Sequence, residues 1–172
     1  MIVATCITVV QTFSCAMAAY AFSRLRWKGR EVVFMIFLGA MMIPTIFTLL
    51  PNFILIKNLN LIDTLAGIML PSLFISPFAI FFLRQFFNNI SREVEEAALI
   101  DGASKSRVFF TLILPISSAP LATLALLTYM TSWNEYFWSL LVSYTDQSRV
   151  LTVALAVFRA QSPPTRAPTG PG

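Results

Sequence analysis

Four stretches, residues 1–22, 32–56, 65–83 and 109–142, each stay apolar for about the 20 residues that an α-helix needs to cross a bilayer. With 57% hydrophobic and 12% charged residues and a mean hydropathy of +0.76, the chain holds more apolar surface than a soluble core of this size could bury. At membrane depth a helix satisfies its own backbone donors and acceptors, so the pattern predicts an all-α polytopic transmembrane bundle of about four spans. The first stretch has no basic residues ahead of it and reads as a true span rather than a cleaved signal peptide. The fourth is long enough to include a lead-in turn.

Lysine and arginine in the short connections orient the bundle. Arg24, Arg26, Lys28 and Arg30 crowd the first connection, Lys57 stands alone in the second, and Arg84, Arg92, Lys105 and Arg107 gather around the third. The first and third connections are therefore expected on the cytoplasmic side, with the N-terminus outside. The formal charge of +4 follows from this topology, and without a clustered basic face no nucleic-acid partner is expected. Cys6 and Cys15, nine residues apart on one helix, face opposite sides and suit neither a disulfide nor a metal pair. There is no histidine, and the six glycines form no phosphate-binding pattern. No cofactor, metal site or catalytic constellation is expected. If the protein works with ATP, another chain must bind it.

One membrane domain is expected over residues 1–160. The segment 161–172, QSPPTRAPTGPG, has four prolines, two glycines and no aliphatic side chain larger than alanine, and is expected to be disordered. Prolines also punctuate the spans: Pro44 and Pro51 in the second, Pro71 and Pro77 in the third, Pro115 and Pro120 opening the fourth. Each removes a backbone donor, so bent or broken helices are expected, either as ordinary kinks or as the wall of a substrate cavity.

The third connection carries Arg92, Glu93, Glu95, Glu96, Asp101, Lys105 and Arg107. Burying these charges in hydrocarbon would cost on the order of 20 kcal/mol, so the segment must lie outside it. It is nonetheless helical by its own signals: Ser91 is a candidate N-cap, Glu93 and Glu95 suit the positive helix end, Gly102 suits the C′ position, and Ser104 can start a second helix. On a helical wheel Ile90, Val94, Ala97, Ala98 and Asp101 share one side, and Arg92, Glu95, Glu96 and Leu99 the other. Ala97 and Ala98 are expected against the bundle. Leu99 and Ile100, rimmed by Arg92, Glu95 and Glu96, then form an apolar knob with a charged rim, as a docking surface needs. Asp101 is expected to bond backbone N–H groups beyond Gly102 and fix the turn.

The same stretch, EAALIDGASKSRVFFTLILP from Glu96 to Pro115, resembles the signature loop by which ABC-transporter permeases grip their ATPase. Glu96, Ala97, Ala98, Gly102, Leu114 and Pro115 fall in register with it, and Leu112 stands where isoleucine is commoner. Further motifs are similar to the sugar-uptake branch, in particular the smaller permease subunit of maltose-type importers. They are AAYAF at 18–22 with WKGR at 27–30, MMIP at 41–44, LRQFF at 83–87 and WNEY at 133–136. Ser91 departs from the branch's usual proline, but a hydroxyl cap also starts a helix. The resemblance implies that Glu96, Ala97, Ala98, Leu99, Asp101 and Gly102 couple the chain to an ATP-binding cassette ATPase subunit. It also implies a second permease subunit, an extracytoplasmic solute-binding protein, a multi-pass place in the prokaryotic plasma (inner) membrane with membrane lipid around it, and import of a sugar or related solute. Such permeases are six-span units, so the chain is expected to be truncated at both ends or a frameshifted reading of a longer gene, with little transport activity alone.

Asn134 and Glu135 are the costly polar pair near the end of an apolar span. They read either as substrate-pathway positions facing the bundle interior, or as interfacial residues beside an aromatic belt of Trp133, Tyr136 and Trp138. A secondary transporter or channel would want ion-coupling acids within the spans, and only Glu135 offers one.

Overall fold

The computed structural model describes residues 1–143, and among these every element is helical. The expectation of disorder at 161–172 lies outside the described residues. α1 (Ile2–Arg24) is the one described helix long and apolar enough to cross a membrane by itself. Next come α2 (Arg30–Ala40), α3 (Thr45–Asn58), α4 (Leu65–Leu73), α5 (Pro77–Asn89) and the short α6 (Arg92–Ile100). α7 (Lys105–Val108) runs through a wide π turn (Phe109–Ile113) into α8 (Leu114–Ile116), followed by α9 (Ser118–Asn134) and α10 (Phe137–Val142).

The second, third and fourth predicted spans are thus not single rods. α2 and α3 meet at 99°, α4 and α5 at 43°, and the Lys105–Ile116 segment meets α9 at 78°; if each bent pair is one span, the total reaches four. Proline explains where the chain gives way. Pro44 stands at the N-cap of α3, disfavouring helix at Ile43 before it, and residues 41–43 close with i to i−3 bonds instead. Pro77 takes the first position of α5, where its missing N–H would be unpaired anyway, and Ser76 caps that helix by accepting from the Ala79 N–H at 3.3 Å. Pro115 follows the π turn, and the chain turns again at Ser117. Pro51 and Pro71 sit inside α3 and α4 without ending them.

α1 is the post around which these pieces pack, against α4, α5 and α9. Its buried face carries Ala4, Cys15, Ala16 and Ala19, and α5 meets it with Ala79. Such small residues let helix backbones approach closely, the main source of association where lipid is as apolar as the side chains. Phe22, Phe34, Leu83, Phe87, Val108, Phe109 and Leu124 fill the main core, at the end of the bundle that carries the basic connections. A smaller cluster of Val3, Ile7, Ile56, Ile68 and Val142 closes the opposite end. The outer faces of α2 and α3 expose Met35, Ile36, Ile46, Phe47 and Leu50, a surface suited to lipid rather than water.

The α4–α5 break exposes backbone groups, and α1 answers them. The Ser76 N–H, which would have bonded the Ser72 carbonyl in an unbroken helix, is 3.4 Å from Cys15 Sγ, and Gln11 Nε2 donates to the Ser72 oxygen at 2.6 Å in its place. Gln11 and Cys15 lie four residues apart, on one face of α1. At the other end, Asn60 and Asp63 adopt left-handed backbone (φ 54° and 63°), and the Asp63 N–H reaches the Val142 carbonyl at 2.9 Å. Thr64 caps α4 by accepting from the Gly67 N–H at 3.1 Å while donating to the Leu61 oxygen at 2.7 Å. That tight loop leaves no room for a Cβ at position 67, which would collide with the Leu61 carbonyl. Gly67→Ala should therefore cost about 1–3 kcal/mol. Thermal unfolding of the detergent-solubilised protein measures it, and an unshifted midpoint would contradict the close approach.

Candidate coupling loop and membrane cleft

The segment between α5 and α7 is built as a rigid corner. Ser91 starts α6 by accepting from the Glu93 N–H at 3.2 Å, with Glu93 and Glu95 in the first turn. Gly102, at φ 84°, ends it: the Gly102 N–H bonds the Leu99 oxygen at 3.1 Å and the Ala103 N–H bonds the Ala98 oxygen at 3.0 Å. These two bonds form a Schellman closure. The Asp101 carboxylate was expected to hold the turn and takes no part in it; Asp101 contributes only its N–H, to the Ala97 oxygen at 3.0 Å. Ser104 then caps α7 through the Arg107 N–H at 3.3 Å.

The wheel assigned the faces of α6 partly wrongly. Glu96 and Leu99 do face out, joined by Val94, Ala97 and Ile100, the last 86% exposed. Ala97 and Val94 were expected against the bundle, and Glu95 outside. Instead Glu95 turns inward, and of the two alanines only Ala98 packs on the core, beside Ile90 and Ala103. The reason lies in what waits beneath: no residue of α6 is fully buried, and the bundle offers this helix a polar socket rather than an apolar groove.

Tyr20 and Arg24 make that socket. Tyr20 donates its hydroxyl to Glu95 Oε1 at 3.0 Å, and Arg24 Nε lies 3.6 Å from Glu95 Oε2. The two ion-pair side chains are only 3% and 13% exposed. The Arg24 guanidinium also donates to the Phe87 and Ile90 carbonyls at the C-terminal end of α5, where a cation is favoured by the helix dipole. Among the described residues, Arg24 Nε itself has no hydrogen-bond partner. Nearby, Arg84 forks onto Glu31 with both contacts at 2.9 Å, donates to the Phe22 carbonyl at 3.2 Å and lies 3.8 Å over the Phe34 ring. The two connections expected on the cytoplasmic side are thus knitted together at one end of the bundle.

A cleft of about 840 Å³ opens among α1, α3, α4 and α9. Its mostly apolar wall is broken by Gln11, Asn52, Ser72, Thr128, Ser132 and Glu135. Of the pair singled out from the sequence, only Glu135 lines it, at the bend between α9 and α10, where its carboxylate accepts from the Trp138 N–H at 3.2 Å. Asn134 turns back to the Met130 carbonyl at 2.8 Å. Trp138, one of the aromatic residues beside this pair, donates its indole N–H to the Ile68 carbonyl at 3.1 Å. Gln11, Asn52 and Ser72 were not read as cleft residues; of these, the lone amide Gln11 within the first apolar run was the available signal.

Residues 12–159 match the family described as the binding-protein-dependent transport system inner membrane component. The chain belongs to this family. Among its relatives is the arabinooligosaccharides transport system permease protein AraQ of Halalkalibacterium halodurans, 34% identical over 150 residues, which cover 87% of this chain and 53% of that protein. Another is the sn-glycerol-3-phosphate transport system permease protein UgpE of Yersinia pestis, 36% identical over 168 residues, covering 98% and 58%. In three dimensions the chain is similar to a bacterial ABC transporter involved in the import of the acidic polysaccharide alginate, with a TM-score of 0.69 and 28% identity over 90% of this chain and 56% of that one. The chain therefore spans about half the length of the curated relatives it matches. Within the family, the matched region holds the whole α6–α7 corner and the cleft wall apart from its residues up to and including Gln11 on α1.

The corner depends on one left-handed residue. A Cβ at Gly102 would meet no neighbouring atom, so Gly102→Ala isolates the backbone strain, about 1–2 kcal/mol. The Gly102 and Ala103 amides should then exchange hydrogen about tenfold faster, as read by mass spectrometry. Unchanged exchange would mean that the turn does not rely on the glycine.

Proposed function

We propose that this chain acts as a permease subunit of a binding-protein-dependent ABC importer, moving a sugar or related polyol across the prokaryotic inner membrane as a multi-pass protein. One observation carries the reading. In a member of this family, the α6–α7 corner presents Glu96, Ala97, Leu99 and Ile100 outward at the basic end of the bundle. An apolar centre with a charged edge, held on a capped and glycine-closed helix, suits insertion into a cleft of a cytoplasmic ATPase subunit. Ala98 seats the helix, and Asp101 and Gly102 carry the turn. Residues 1–160 form the permease domain in this reading.

ATP is hydrolysed on the separate subunit, whose closure moves the corner and biases the permease pair between inward-open and outward-open states. A second permease and an extracytoplasmic solute-binding protein complete the assembly. The names of the relatives support carbohydrate-like cargo, and the amide and hydroxyl groups of the cleft suit a polyhydroxylated solute. Glu135 belongs to the pathway in this reading; Asn134, bonded to its own helix, supports its end.

Two experiments test the proposal. In the assembled permease, Glu96→Lys and Leu99→Asp should each reduce the co-purified ATPase subunit by about tenfold, the loss of an interface hot spot. Full retention in both would sink the docking assignment. Glu135→Gln should slow uptake of labelled arabino-oligosaccharide by about tenfold with ATPase retention unchanged, because a pathway acid acts on the solute and not on the docking face. Uptake equal to wild type would remove Glu135 from the path.

A further inference from the structure

The coupling helix makes only light apolar contact with the domain it serves. No α6 residue is fully buried, and only Ala98 packs on the core from within it. What holds it is Glu95, one residue ahead of the outward Glu96 and turned the opposite way. Tyr20, at 3.0 Å, and Arg24, at 3.6 Å, both belong to the last turns of α1. Arg24 simultaneously holds the Phe87 and Ile90 carbonyls at the end of α5. A single guanidinium therefore joins the coupling helix, the unbroken span and the end of a bent one.

We propose that Glu95, gripped by Tyr20 and Arg24, is the positioning residue through which displacement of the coupling helix reaches α1 and α5. Leu99 and Ile100 receive the push and Glu95 passes it on. The contact has slack of the right kind. Arg24 Nε is buried and lacks a hydrogen-bond partner among the described residues, and the nearest carboxylate oxygen is 3.6 Å away. An approach of about half an ångström would bring that pair into hydrogen-bonding range. The arrangement shown is the open one, and in this proposal a small movement of α6 closes it. An apolar seat would let the helix slide; a directional charge-assisted bond does not.

The inference rests on the permease reading above, and the test separates the two. The full-length permease is assembled with its partner permease and ATPase subunit in lipid nanodiscs. Spin labels at Leu127 on α9 and Met35 on α2, both exposed, report the bundle. Nucleotide should shift the distribution of the Leu127–Met35 label distance in the wild type. In Glu95→Gln that shift should fall about tenfold, as expected for losing one charge-assisted bond, while the amount of ATPase subunit retained stays the same. Glu95→Asp should restore part of the shift. Tyr20→Phe should weaken it, and the Tyr20→Phe, Glu95→Gln double variant should be no worse than Glu95→Gln alone, because both act at one contact. A full nucleotide shift in Glu95→Gln overturns the inference. So does loss of the ATPase subunit from that variant, which would place Glu95 on the docking face. If Glu95→Gln fails to fold, Tyr20→Phe alone decides, and an undiminished shift there overturns the inference equally. A wild type that retains no ATPase subunit refutes the permease reading itself.

Discussion

Inside an apolar bundle a carbonyl or N–H released from its helix has no water to turn to, and each such group left alone costs several kcal/mol. The broken helices of this protein can exist only because something else answers those groups. At the α4–α5 break and at the end of α5, α1 supplies the answers. Gln11 takes the Ser72 carbonyl, Cys15 takes the Ser76 N–H, and Arg24 takes the two carbonyls at the end of α5. The unbroken helix and the α4–α5 pair are therefore complementary: polar side chains on the first are spaced to match the gap and the end of the second. Between these contacts the helices meet through alanine and cysteine, so backbone proximity is what lets such short side chains reach.

This division of labour explains which features could be read from the residues alone. α1 is legible because length and uniform apolarity are sufficient for a span. The caps at Ser91 and Ser104 and the turn at Gly102 are legible because their chemistry is local, decided within five residues. The breaks are only half legible. Six prolines stand in the broken spans, but a proline at the first helical position or at a cap ends a helix while Pro51 and Pro71 are carried within one. Which of them breaks the chain depends on whether a neighbour can complete the freed backbone, and that neighbour is dozens of residues away.

The faces of α6 were misjudged for a related reason. A wheel ranks side chains by polarity and sends carboxylates outward, which holds when the partner surface is apolar. Here the partner is Tyr20 and Arg24, so a glutamate goes in while Val94 and Ala97 go out. Arg24 could have been suspected: it is the first cation after a long apolar run and reads equally as a topology signal. Its burial could not, since Glu95 lies 71 positions away. Removing one member of such a buried pair leaves the other uncompensated, a loss of about 3–5 kcal/mol in typical cases. The arrangement is thus strongly specified once formed, although nothing local announces it.

The elbow between α2 and α3 sets a length problem for its surroundings. At 1.5 Å per residue the two arms are about 16 and 21 Å long, and they meet at 99°. The hydrocarbon layer is about 30 Å thick. A straight helix of the same residues would overshoot that layer; neither arm of the elbow spans it alone. The elbow therefore either crosses the layer in two inclined steps or returns to the side it entered. In both cases its corner is a place where protein, rather than lipid aligned along a straight helix, is the better neighbour.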